Sequence, residues 1–488
     1  MMVNLTIVPD QVVGLGLKEQ MQLQELVETF NYHNAKNATK ERYYEGHIPL
    51  SEVNLGLAIP KHFHNLEISC EWGAKCVDVL ASRSMFDGFV SMDGNDADEV
   101  MSIMNANNLV SEYMKACRDE LQFGCTFATL SADDDIQCRI RFHSPMSASA
   151  LWDGEKGRIE CGMAIIDTVK DEKDHTWTPS HINLYTEDAI WELVKHDEQW
   201  NAIEHPHKMG RPLMEPMIWN ATTRKPFGRS RIKESIRRLI QGYVRTVANA
   251  TIGLEFSTSP QKYMLGITDD QYDAVISDKF RQYIGSILAA TYNPDTGEKP
   301  TVGQFAQGSI EPHVQMLRIL ATQFSAATGL TVTDTGVVND ANPTSSDAIL
   351  AQSQTLVSLA EQLNAGNAKS LKTIAEMAQA VVRNCSLNEL EDNDRNIIPH
   401  FKNPAMPSVA VTADAAIKIA STRQGFGATD VFLEMVGFDQ ADIRRIKAQE
   451  KRNQGNLVIQ QEFNSNVVSS MNSNVKDKED ADNIEGMA

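Results

Sequence analysis

The chain has 488 residues, 42% of them hydrophobic and 23% charged, with 45 Lys and Arg against 65 Asp and Glu, a net charge of −20. Those proportions are globular and exclude a wholly disordered chain, and the length predicts about three domains. The acid surplus excludes a general duplex-coating protein, which needs clustered positive charge to displace counterions. It does not exclude a protein past which nucleic acid slides without sticking.

Met1–Gln20 has no basic region ahead of an apolar run, and no stretch approaches 18 consecutive apolar residues, so neither a signal peptide nor a membrane span is expected. The seven cysteines form no Cys-x-x-Cys and read as reduced thiols of an intracellular protein.

Leu23, Leu26, Val27 and Phe30 recur at helical spacing and predict a helix over 17–45, closed by Gly46. A second helix is predicted over 67–84 and a third over 97–122, followed by Gly124. From Thr126 to Asn220 short alternating runs between turn residues predict an antiparallel β region. Helix returns from Ser230, with Ile232, Ile236, Leu239, Ile240, Tyr243, Val244 and Val247 on one stripe. Further helices are expected over 268–288, 311–329, 347–364 and 368–385, and at least two over 412–461. Asn293-Pro294-Asp295-Thr296-Gly297 is a turn, and the Asn-, Ser- and acid-rich end reads as disordered.

Catalytic patterns are weak. Gly14-Leu15-Gly16 and Gly425-Phe426-Gly427 lack a third glycine, and Ser230-Arg231-Ile232-Lys233 reads as a helix cap. His62/His64 and His205/His207 pair at i, i+2 but no third metal ligand accompanies them, and Asp133-Asp134-Asp135 reads as an acidic hairpin tip. Two stretches stand out. Residues 222–245 carry eight bases against Glu234 alone, fit for nucleic acid or for the acids of a neighbouring subunit. Residues 319–368 hold no Lys or Arg, which fits packing against other copies or lining a passage where sticking is undesirable.

The order of several motifs carries a resemblance. They are Tyr43-Tyr44-Glu45-Gly46; Cys76–Arg83 with Asp87-Gly88-Phe89; Phe123–Phe127; His143-Ser144-Pro145; and Leu184–Asp188. Lys225-Pro226-Phe227-Gly228-Arg229-Ser230-Arg231-Ile232 matches best, followed by Ser259–Gly266, Asn342–Ala348, Ala415–Lys418, Met435–Phe438 and Ile443-Arg444-Arg445. Over about residues 20–460 the chain resembles portal proteins of tailed bacteriophages, of the siphophage type.

The resemblance implies an α+β portal fold. Residues 1–265 would be a mixed helix/β wing, β-rich over about 126–220. Residues 266–288 and 311–329 would be stem helices, 289–310 a clip and 330–346 a tunnel loop. A tunnel-side helix and wing return would fill 347–407, a helical crown 408–462 and an acidic tail 463–488.

A structural ring of about 12 copies would follow, at one capsid vertex of the virion, assembled in the host cytoplasm, with double-stranded DNA passing through it. Its partners would be large terminase, a head–tail adaptor, and major capsid and scaffold proteins, with no membrane. No catalytic residue, metal or cofactor is implied. Thr333, Asp334, Asn339, Asp340, Asn342 and Ser345 would face DNA. Tyr292, Asn293, Asp295, Lys299 and Phe305 would carry clip contacts. Arg229, Arg231, Arg237 and Arg238 would form a subunit interface or basic patch. Lysines near the tunnel, found in some portals, are missing here, so no basic grip on DNA carries over. The alternatives are an enzyme with a dispersed active site, or another capsid or scaffold component.

Overall fold

Leu23, Leu26, Val27 and Phe30 lie on one face of α1 (Leu17–Tyr44) and are buried, each at a typical gain of about 1.5–3 kcal/mol. They close a core with Cys161, Met163, Ile165, Ile182, Leu184 and Leu193. That sheet is antiparallel in the order β4 (Ala148–Asp153), β5 (Arg158–Lys170), β6 (Trp177–Tyr185), β7 (Ala189–His196), β8 (Gln199–Pro206).

This structure is a computed structural model. It describes residues 5, 7, 11–48, 68–91, 98–170, 177–196, 199–258, 262–266, 297, 299, 301–304, 308–337, 346–405, 409–439 and 442–453. They divide into two compact units, 1–405 and 406–488.

The first unit has a second, larger core. Around it lie α2 (Trp72–Ala81), α3 (Asp98–Ala106), α4 (Leu109–Phe123), α5 (Glu234–Thr258), α6 (Glu311–Thr328) and α7 (Ser346–Arg383). A three-stranded sheet, β3 (Gln137–His143), β2 (Cys125–Asp133), β9 (Met214–Ile218), and the pair β1 (Phe86–Ser91) with β12 (Ile397–Phe401) complete it. The short helix α8 (Asp392–Arg395) precedes β12. Helix α6 packs on α5, burying Leu320, Ala321 and Phe324. A ribbon pairs β10 (Lys262–Leu265) with β11 (Thr301–Gln304), so the chain leaves and returns at one point.

The second unit holds α9 (Val409–Thr422), α10 (Asp430–Val436) and α11 (442–453). Thr429 caps α10 through the Phe432 N–H, and Lys447 pairs with Asp430 at 2.7 Å.

Two helix predictions need correction. The helix expected over 97–122 is two, α3 and α4, broken where Asn108 takes φ 49°. Asn tolerates the left-handed region, so no Gly or Pro marks the break. Conversely, the helices expected over 347–364 and 368–385 are one, α7. Its Asn364 and Asn367 are buried and bonded into the core, and so do not end it. The expected helix over 268–288 and the acidic tail lie outside the described residues.

Candidate functional site

Helix α4 ends at Gly124, and its last four carbonyls must find donors outside the regular ladder. The Gly124 N–H makes the last ladder bond, to Glu120 O at 2.8 Å; beyond it the Arg231 N–H donates to Leu121 O at 2.9 Å and the Trp219 N–H to Gly124 O at 3.0 Å. The Ser230 hydroxyl donates to Gln122 O at 2.5 Å, and the Lys40 ammonium to Phe123 O at 2.8 Å. The Lys225–Ile232 motif is thus the cap of a helix more than a hundred residues earlier.

Its glycine is obligatory. Gly228 has φ 68°, and a Cβ there would meet Gly124 O at 2.7 Å and also strike Trp219 O. Gly228→Ala is expected to destabilise the fold by about 2–4 kcal/mol, from strain plus backbone overlap, and chemical denaturation of the variant checks this.

Arg231 corrects an expectation. Its side chain is not part of a surface patch but is 9% exposed, donating to Cys76 O at 2.5 Å and to Thr328 O at 2.7 Å. Thr328 is the last residue of α6, so a guanidinium sits at the negative end of that helix.

Four of the other bases, Lys225, Arg229, Lys233 and Arg237, open onto a cleft of about 660 Å³ between α1 and the start of α5. Its floor is apolar, with Phe30, Phe127 and Phe227; six cations, Lys36, Lys40, Lys225, Arg229, Lys233 and Arg237, line it. The acid among the lining residues is Glu234, held by Arg238 at 2.7 Å. Among the described residues none of the six cations has a carboxylate within ion-pair distance. Burial, with Arg237 and Lys36 nearby, pushes the Lys40 ammonium down to about 8. Lys36 lies 3.8 Å from the centre of the Tyr32 ring. Of the four arginines expected as one patch, Arg229 and Arg237 line the cleft, Arg238 is exposed on Glu234, and Arg231 is internal. Lys36 and Lys40 escaped the sequence reading; with His33 they follow a three- and four-residue spacing on α1, the available signal.

The segment after α6 is anchored. The Asp334 carboxylate accepts from the Thr331 N–H at 2.9 Å and the Thr331 hydroxyl at 2.8 Å, while Thr333 is exposed. The Trp72 indole donates to Thr335 O at 3.1 Å and stacks on Phe324, with ring centres 4.7 Å apart. Asn339, Asp340, Asn342 and Ser345 lie outside the described residues, as do Tyr292, Asn293, Asp295 and Phe305; Lys299 is exposed. Among the described residues no cluster of His, Cys, Asp and Glu is fit to hold a metal, and no helix is long and apolar enough to cross a membrane.

The phage portal protein family, SPP1 Gp6-like, matches residues 18–456. The chain belongs to that family. Portal proteins are structural components of the phage virion and not enzymes, which removes the enzyme alternative. The chain is 23% identical to the portal protein of Mycobacterium phage D29 over 414 residues, and 23% identical to that of Mycobacterium phage L5 over 416. Each comparison covers 82% of both chains. Among solved structures, this portal protein matches a chain from the virion of a native gene transfer agent particle, with a TM-score of 0.43 and 11% identity. That match covers 75% of this chain and 89% of the other. A chain from the neck of the native particle, computed with C12 symmetry, matches with a TM-score of 0.42 and 12% identity.

Proposed function

We propose that this portal protein forms a closed ring of about 12 copies at one capsid vertex, through which double-stranded DNA is packaged and later ejected. The observation that carries the reading is the run over 319–368, which has no Lys or Arg and begins within α6, the helix packed on α5. Cyclic symmetry turns each residue into a ring. Rings of Asp334 and Asp340 with no opposing loop base would repel the duplex at short range and keep it centred and mobile. Force would come from large terminase docked at the clip, with Tyr292–Phe305 supplying contacts. A head–tail adaptor would follow it there, while the crown faces the interior built by capsid and scaffold proteins. Assembly would take place in the host cytoplasm.

A second placement of the stem is favoured by one observation. Helices α5 and α6 pack on each other, and the β10–β11 ribbon brings 265 beside 301. In that placement α5 and α6 are the stem pair and 259–310 is the clip, in place of a stem helix over 266–288. In either placement, a photo-crosslinker at Asp340 is expected to capture DNA in filled heads. Crosslinking to protein alone would remove the tunnel-loop assignment.

A further inference from the structure

The six-cation cleft is unused by a conduit reading, and among the described residues no carboxylate pairs with its cations. Six like charges line one cleft, and an arriving anion would relieve their mutual repulsion; burial first, and then Arg237 and Lys36, hold the Lys40 ammonium low. The apolar floor of Phe30, Phe127 and Phe227 suits a folded protein segment better than a phosphate backbone.

The chain itself carries a segment of the right chemistry. At the β2–β3 turn, Asp133 is spent internally: it binds Arg139 at 2.5 Å and accepts from the Asp135 N–H at 3.0 Å and the Ile136 N–H at 3.2 Å. That rigid turn leaves Asp134 and Asp135 exposed, and neither carboxylate has an ion-pair partner among the described residues. The cleft borders the start of β2, at Cys125 and Phe127, whereas the acidic tip lies at its far end. At about 3.3 Å per residue the strand holds them roughly 25 Å apart, so one copy cannot satisfy its own cleft. Head-to-tail contacts of a ring join two different patches of identical subunits.

We infer that the acidic β2–β3 hairpin tip of one copy docks in the basic cleft of the next. The inference rests on the ring reading and names one of its contacts.

The test is charge reversal on each side, alone and combined, in the full chain. Lys225→Glu with Lys233→Glu alters exposed positions of the cleft, and Asp134→Lys with Asp135→Lys alters an exposed turn. Light scattering across a dilution series at low salt reads assembly, and circular dichroism checks folding. Each reversed side alone is expected to raise the concentration for half-assembly by at least about tenfold, and the combination to restore it. Loss without rescue overturns the pairing. Rings unaffected by either reversal overturn the inference and leave the ring reading intact. Wild-type chain that stays monomeric at all concentrations overturns both. Normal rings whose cleft variant loses binding to a short fluorescent duplex assign the cleft to nucleic acid instead.

Discussion

Glu120→Gln is expected to raise stability at neutral and alkaline pH and to leave it unchanged near pH 4. Glu120 is fully buried on α4, and burial pushes its carboxyl up to about 8 from 4.5. The Asn367 amide donates to its Oε2 at 2.8 Å, while Oε1 has no partner among the described residues. Below about pH 4.5 the carboxyl is protonated in both states and contributes no pH dependence. Between about 4.5 and 8 the unfolded chain releases the proton and the folded chain retains it. Stability therefore falls as pH rises, by up to about 1.4 kcal/mol per pH unit, and levels off above pH 8. Gln keeps the acceptor for Asn367 and removes the titration. Urea midpoints at pH 5 and pH 8 are the check, with a gain of about 2–4 kcal/mol at the higher pH. Asp119, also raised by burial, to about 6, gives a separate decline at lower pH that the variant retains. Equal midpoint differences at both pH values would remove Glu120 as the source.

Arg231→Met is expected to cost about 3–5 kcal/mol, because the side-chain volume stays while two buried carbonyls lose a charged donor. Those carbonyls, Cys76 O and Thr328 O, belong to α2 and α6, so the guanidinium joins both helices to the junction before α5. Arg231→Lys retains the charge without the fork and is expected to recover only part of the loss. Equilibrium denaturation in urea measures both. A loss within about 0.5 kcal/mol, as for a surface position, would show that the two bonds are dispensable.

The contrast between Arg231 and its neighbours shows where the sequence is legible. Alternation over Ile136–Phe142 is a local pattern and marks the strand found there. The stripe Ile232, Ile236, Ile240 and Val244 likewise marks the buried face of the α5 region, and all four are buried. By contrast, Arg231 sits among bases of the same type, and its burial is decided by carbonyls distant in sequence. The same holds for Lys40, whose partner Phe123 O lies on another helix. Asn364 and Asn367 read as a helix interruption because polar residues cluster around Gly366. Their partners, Ser84, Tyr113 and Glu120, are tertiary and invisible to periodicity. Motif order over most of the chain carried the family, whereas the cleft needed three-dimensional placement of α1 against the junction.

The mass and shape of the purified protein test the ring most directly, by light scattering with negative-stain imaging. Twelve copies of a 54.2 kDa chain predict a particle of roughly 650 kDa with an axial hole. A stable small oligomer without a hole would contradict it.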